Sequence, residues 1–182
     1  MAFSSNPLGA PLSGPPSSGG TDPLGCDVGL LLLRLVAGLT MAAHGTQKLF
    51  GWFDGPGLVL TGHEFTKIGY PAGKAMAVVA GLTETLGGLG VALGLLTPLA
   101  AAGLFGIMIN ALVVKDDGFF APEGVEYEIL LATAAVCLAL AGPGRAAVDH
   151  FLPVLRRHRL WRGAAAIVLG GVLAGVFLLL RS

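Results

Sequence analysis

Five long apolar stretches, separated by segments rich in glycine, proline and charge, set the plan of the chain. The first covers about 28–48, is interrupted by Arg34, and is closed by His44 and Lys48. The second covers about 75–96 and contains Glu84. Thr97-Pro98 then predicts a tight turn, because the residue before a proline avoids the helical region and proline suits the first turn of a helix. The third stretch runs over about 98–114 with Asn110 inside it, and the fourth, a short one, over about 127–141, where Gly142-Pro143-Gly144 stops it. The fifth, 163–180, carries no charge and is flanked by Trp161, Arg162 and Arg181, residue types that anchor a span at the membrane interface. At about 20 residues per spanning helix, the pattern predicts five transmembrane helices.

The connections differ in kind. Residues 1–25 are dominated by Pro, Gly and Ser, hold no Lys or Arg, and read as a disordered tail. They lack the basic and apolar regions of a signal peptide, so the spans themselves are expected to direct insertion. Residues 51–73 carry Trp52, Phe53, Phe65 and Tyr70 among glycines and prolines, a composition that suits a segment lying at the interface or folding back onto the bundle as a lid, without a long helix. Residues 145–162 hold Arg145, Arg156, Arg157, Arg159 and Arg162, whereas Lys48, Lys67, Lys74 and Lys115 are spread over the other side. The positive-inside rule puts the arginine-rich connection and the N-terminus in the cytoplasm. The connection bearing Asp116, Asp117, Glu123, Glu126 and Glu128 then lies outside.

Composition agrees with this plan. Of 182 residues, 54% are hydrophobic and 12% charged, against roughly 25% charged in soluble domains. A mean hydropathy of +0.78 describes a chain whose surface is covered by lipid. A net charge of +0 with no basic stripe leaves no footprint for nucleic acid. Cys26 and Cys137 lie far apart, without metal-ligand or redox spacing, and Cys137 reads as an inert small hydrophobe.

The scarcity of charge makes the polar residues inside the spans informative. Ionisable groups in hydrocarbon cost at least a few kcal/mol each and tend to pair or to mark function. Arg34 and Glu84 come within about 9 Å in depth on antiparallel spans at 1.5 Å per residue, so a pair between them is expected, either to fix helix register or to serve a site. Met41, His44 and Lys48 follow Arg34 along one face of the first span, presenting cations to an anionic or polar headgroup. For His44 and Lys48 the competing reading is interfacial snorkelling. For Asn110 it is an interhelical hydrogen bond, and for Glu126 and Glu128 a solvated acidic rim. The glycines at 81, 87, 88, 90 and 94 read as close-packing positions. Arg145 and Asp149, four apart, could pair on a short helix.

Taken in order, Arg34, then His44-Gly45-Thr46-Gln47-Lys48-Leu49-Phe50-Gly51, Glu84-Thr85-Leu86-Gly87-Gly88, Gly94 and Thr97, an acidic residue before the fourth span, and Gly142-Pro143-Gly144-Arg145 with Asp149 resemble the DoxX family of small bacterial membrane proteins over about 28–152. The resemblance implies a four-helix membrane bundle in the bacterial inner membrane, related to the DoxD-type subunit of thiosulfate:quinone oxidoreductases. It places Arg34, His44, Lys48, Glu84, Glu126 or Glu128, Gly142, Gly144, Arg145 and Asp149 at motif positions. Two departures stand out. Ala146-Ala147 replaces the Tyr-Ser often found after the Gly-Pro-Gly-Arg run, and the tail and fifth span lie outside the pattern, as additions for anchoring or docking.

The expected architecture is therefore an all-α membrane protein: a tail over 1–25, a four-helix transmembrane bundle over 26–152, and a basic linker with a fifth transmembrane helix over 153–182. The expected function is that of the membrane subunit of a quinone-linked redox system, tied to sulfur or thiol oxidative chemistry. Arg34, His44, Lys48 and Glu84 would bind the quinone, with Glu84 and His44 carrying protons, since quinone reduction takes up protons with electrons. No metal-cluster, haem or flavin motif is present in the sequence, so electrons would come from a soluble or membrane partner or from a small reductant. Oligomerisation is left open. The competing reading is a non-catalytic scaffold or small-molecule carrier held together by an Arg34–Glu84 pair.

Overall fold

The computed structural model describes residues 22–115, 118–120, 124–152, 155 and 158–181. Most of the expected tail, with Asp116, Asp117, Glu123, Arg156 and Arg157, lies outside the described residues. Among those described, six α-helices follow one another: α1 Pro23–Phe50, α2 Gly57–Lys67, α3 Gly73–Leu93, α4 Thr97–Val114, α5 Glu126–Ala141 and α6 Leu160–Leu179. α1, α3, α4 and α6 are long and apolar enough to cross a membrane. α5 has 16 residues, a rise of about 24 Å, and reaches from the Tyr127–His44 ring contact at one end of the bundle to Gly163 of α6 at the other. The protein is an all-α membrane protein.

Two local features depart from the expected pattern. α1 begins at Pro23 rather than near Val28, because the Asp22 carboxylate accepts from the Leu24 N–H at 3.0 Å and Pro23 fits the first turn, so the end of the expected tail is helical. The 51–73 connection contains α2, which packs on α3 through Gly62 against Lys74. Gly57 and Gly62 look like breakers in the sequence. Here they start the helix and let it approach its neighbour.

Helices in a bilayer gain little from hiding apolar surface, so close backbone packing fixes how they meet. α1 and α3 run antiparallel and cross at two reciprocal glycine contacts. A Cβ on Gly38 would lie 2.6 Å from the Gly88 carbonyl oxygen, and one on Gly45 would lie 2.6 Å from that of Gly81. Gly88→Ala is expected to cost roughly 1–3 kcal/mol, as overpacking does, read from the midpoint of unfolding in SDS. Gly29→Ala, where nothing lies within 4 Å, should leave the midpoint unchanged. Along the chain α4 reverses α3 and α5 reverses α4. α6 lies parallel to α4, with Gly170 against the Ala102 carbonyl and Gly106 against that of Gly170. Met41, Val91, Leu104, Met108 and Leu138 fill the bundle between these helices.

The glycine crossings settle the fate of the expected Arg34–Glu84 pair, which does not form. They set Glu84 level with Ala42, and on each helix the side chains lean toward that helix's N-terminus. Arg34 therefore leans away from Glu84, whereas Lys48 and Glu84 lean toward one another. Arg34, fully buried, donates from Nη2 to the Ala146 carbonyl at 2.6 Å, and Asp149 acts on it electrostatically. Nor do Arg145 and Asp149 pair. Residues Val148–Phe151 form a 3-10 turn, which directs Asp149 inward, and Arg145 binds Asp27 of α1 through its backbone N–H at 2.9 Å and its Nε at 3.7 Å. Asp149 instead accepts from the backbone N–H of Leu96 at 2.7 Å and from the N–H and hydroxyl of Thr97 at 2.9 Å, capping α4. Gly142 and Gly144 take positive φ on the way into this turn.

Candidate functional site

A cavity of about 740 Å³ is lined by all six helices, its polar wall at the end of the bundle away from Asp149 and its apolar lining running along α4 as far as Leu99. That size is within the range of small-molecule sites. Its polar wall comes from α1, α3 and α5. Lys48 Nζ lies 2.6 Å from Glu84 Oε2, the carboxylate being 2% exposed and the lysine side chain 26%. The His44 ring bonds the Thr40 carbonyl at 2.9 Å through Nδ1. A carbonyl oxygen only accepts, so Nδ1 carries the hydrogen, and in the neutral ring Nε2 is the acceptor nitrogen. His44 also stacks at a tilt on Tyr127, ring centroids 5.8 Å apart, and acts electrostatically on Glu84.

A second pair closes the same chamber. Lys115, at the end of α4, lies 2.8 Å from Glu128 Oε1 and also donates to the Gly124 carbonyl at 3.3 Å. Glu128 Oε2 is buried without a hydrogen-bond partner, an acceptor in a dry place. The expected solvated rim is thus wrong for Glu128, which is buried against the Lys115 ammonium. Glu126 is half-buried and does not line the cavity.

Asn110 ties three elements together. Its side-chain amide donates to the carbonyls of Gly106 at 3.0 Å and, across to α6, of Ala174 at 3.3 Å, and its Oδ1 accepts from the Tyr70 hydroxyl at 2.8 Å. Burial pushes the Tyr70 phenol above its ordinary value, against a smaller pull from Arg181, so it stays a donor at neutral pH. Arg181 bonds the Ile68 carbonyl, so the end of α6 is fastened to the 68–72 turn. The wall formed by α6 is apolar: Leu169, Leu173 and Phe177.

The structure therefore brings His44, Lys48, Glu84, Asn110 and Glu128 to one cavity and leaves Arg34, Gly142, Gly144, Arg145 and Asp149 at the opposite end. Arg34, expected to bind a cofactor, does not line the cavity. Sequence reasoning missed Lys115, Tyr70 and Tyr127 as site residues, because each sits at an interface position where such residues are ordinary anchors.

A family model described as DoxX matches residues 29–116. An uncharacterized membrane protein of Mycobacterium tuberculosis, Rv3486, is 32% identical over 138 residues, 68% of this chain and 80% of the relative. A Bacillus subtilis protein named "Putative oxidoreductase CatD" is 32% identical over 127 residues, 69% of this chain and 88% of the relative. No solved structure matches significantly. With the model spanning α1 to α4 and two relatives aligned over most of their lengths, the chain belongs to the DoxX family.

Proposed function

We propose that the protein is the membrane-embedded, quinone-binding subunit of a redox system. The observation that carries this reading is a mostly apolar cavity within the membrane that ends on a Lys48–Glu84 pair beside His44. The name of the Bacillus subtilis relative points in the same direction. The residues present fit a quinone head: a carbonyl oxygen needs a donor, and Lys48 Nζ and a protonated His44 Nε2 are donors, while Met41, Met76 and Met108 give an adaptable apolar bed for a flat ring. A bound quinone would supply two-electron, two-proton redox chemistry. The chain's own part is to exclude water, to orient the head with Lys48, and to hold a proton at His44 Nε2 or at the Glu84 carboxyl. Electrons would come from a partner.

The described arginines of the Asp149 end, Arg145, Arg159 and Arg162, orient that end to the cytoplasm of the bacterial inner membrane by the positive-inside rule, with the polar chamber toward the outer face. The test uses full-length protein in mild detergent. Organic extraction should release a quinone, and menadione at a hundredfold excess over its Kd should stabilise the fold by about 2.7 kcal/mol, by linkage. An extract without quinone, together with an unmoved midpoint at saturating menadione, would sink the reading.

A further inference from the structure

We propose that the site takes a tailed redox lipid, whose apolar chain lies in a groove along the outer face of α4, walled on one side by α3 and on the other by α6. This deepens the quinone reading and rests on it. The cavity is far longer than a ring: its α4 lining extends from Leu99 to Lys115, about 24 Å at 1.5 Å per residue. Within it Leu99, Gly103, Gly106, Asn110 and Val114 recur at helical spacing, so they form one stripe on α4. Gly103 lets the Thr83 methyl of α3 approach this stripe and Gly106 the Gly170 backbone of α6, so the two glycines draw in the walls on either side.

The walls of this stripe are apolar and face lipid. Val79 comes from α3, and Leu169, Leu173 and Phe177 form a second stripe on α6. Val79, Leu99, Leu169 and Leu173 are 41%, 55%, 47% and 49% exposed, so the groove is open sideways to the bilayer, the source of a lipid-borne ligand. Groove and polar chamber are one continuous space, meeting between α3 and α4 where Ala80 and Ile107 line it. A polar head at Lys48 and Glu84 thus has an apolar path for its substituent along α4. α6 lies outside the family-matched 29–116, so the outer wall of the groove is an element that this chain adds to the matched region.

The test uses full-length protein and two probes: menadione, which has no tail, and the same naphthoquinone ring carrying an isoprenoid chain with a photoreactive diazirine at its far end. Illumination followed by peptide mapping should label segments 169–177 and 99–106. That labelling should be lost in the double variant Leu169→Trp/Leu173→Trp, which narrows the groove at half-exposed positions. In the variant the affinity of the tailed probe should fall at least roughly tenfold more than that of menadione, and tailed-probe binding as tight as in the unaltered protein would overturn the groove. Labels scattered over all lipid-facing helices while menadione still binds would overturn the groove and leave the head site standing. Failure of menadione to bind the unaltered protein would overturn both. Equal displacement of the label by a diacyl phospholipid would reassign the groove to ordinary membrane lipid and overturn the proposal.

Discussion

Asp149→Ala is expected to destabilise the fold by about 3–5 kcal/mol, the loss seen when one partner of a buried charge system is removed. The carboxylate is 2% exposed and serves three donors, the N–H groups of Leu96 and Thr97 and the Thr97 hydroxyl, all at the first turn of α4. It also faces Arg34, which is fully buried and whose Nε and Nη1 have no hydrogen-bond partner. Alanine would orphan the donors and leave the guanidinium uncompensated in an apolar surround. Thr97→Val, which removes one hydroxyl bond, should cost about 1 kcal/mol. Asp149→Asn, which keeps the shape but not the charge, should fall between. Thermal and SDS unfolding followed by circular dichroism would rank the three, and an Asp149→Ala midpoint equal to that of the unaltered protein would contradict the capping role.

The second large effect concerns the cavity, and it separates folding from binding. Lys48→Met leaves the buried Glu84 carboxylate without its partner and should cost about 3 kcal/mol. Lys48→Met/Glu84→Gln removes both charges, so most of that stability should return, because a buried pair is often replaceable by neutral groups of similar volume. Menadione affinity should not return with it. A hydrogen bond to a charged group is worth about 1.5–3 kcal/mol, so the double variant should bind roughly ten- to a hundredfold more weakly. A double variant that is stable and binds menadione as tightly as the unaltered protein would show that the pair only holds helices together.

Much of the helix plan could be read from the sequence, because uninterrupted apolar runs and the Thr97-Pro98 and Gly142-Pro143-Gly144 signals are local. What could not be read was the offset between helices. Gly38, Ala42 and Gly45 on α1 and Gly81, Thr85 and Gly88 on α3 carry matching small-residue spacings, and pairing those two stripes antiparallel gives the observed crossings. Depth counted from span ends missed this, and it also ignored the lean of side chains toward helix N-termini, which sends Lys48 rather than Arg34 to Glu84. His44, Lys48 and Glu84 stood out as polar residues in apolar runs. Lys115 and Glu128 did not, since their pairing depends on how α4 and α5 pack together, a tertiary fact. Asp149 was visible as a motif position and as a possible partner of Arg145, four residues away, whereas its real donors are more than fifty residues distant.

The turn around Asp149 holds its end of the bundle with bonds that mostly involve backbone atoms: Arg34 to the Ala146 carbonyl, Asp149 to the amides of α4, the Asp149 amide to the Gly94 carbonyl, and the Arg145 amide to Asp27. The other end adds to its glycine contacts bonds made by long side chains, Lys48, Lys115 and Arg181, each with several rotatable bonds. Each of those bonds at the turn has a backbone atom on at least one side, so at most one partner can be exchanged by substitution. Both partners of the Lys48–Glu84 and Lys115–Glu128 pairs are side chains, so the cavity end can be rewired by sequence change while the turn stays fixed.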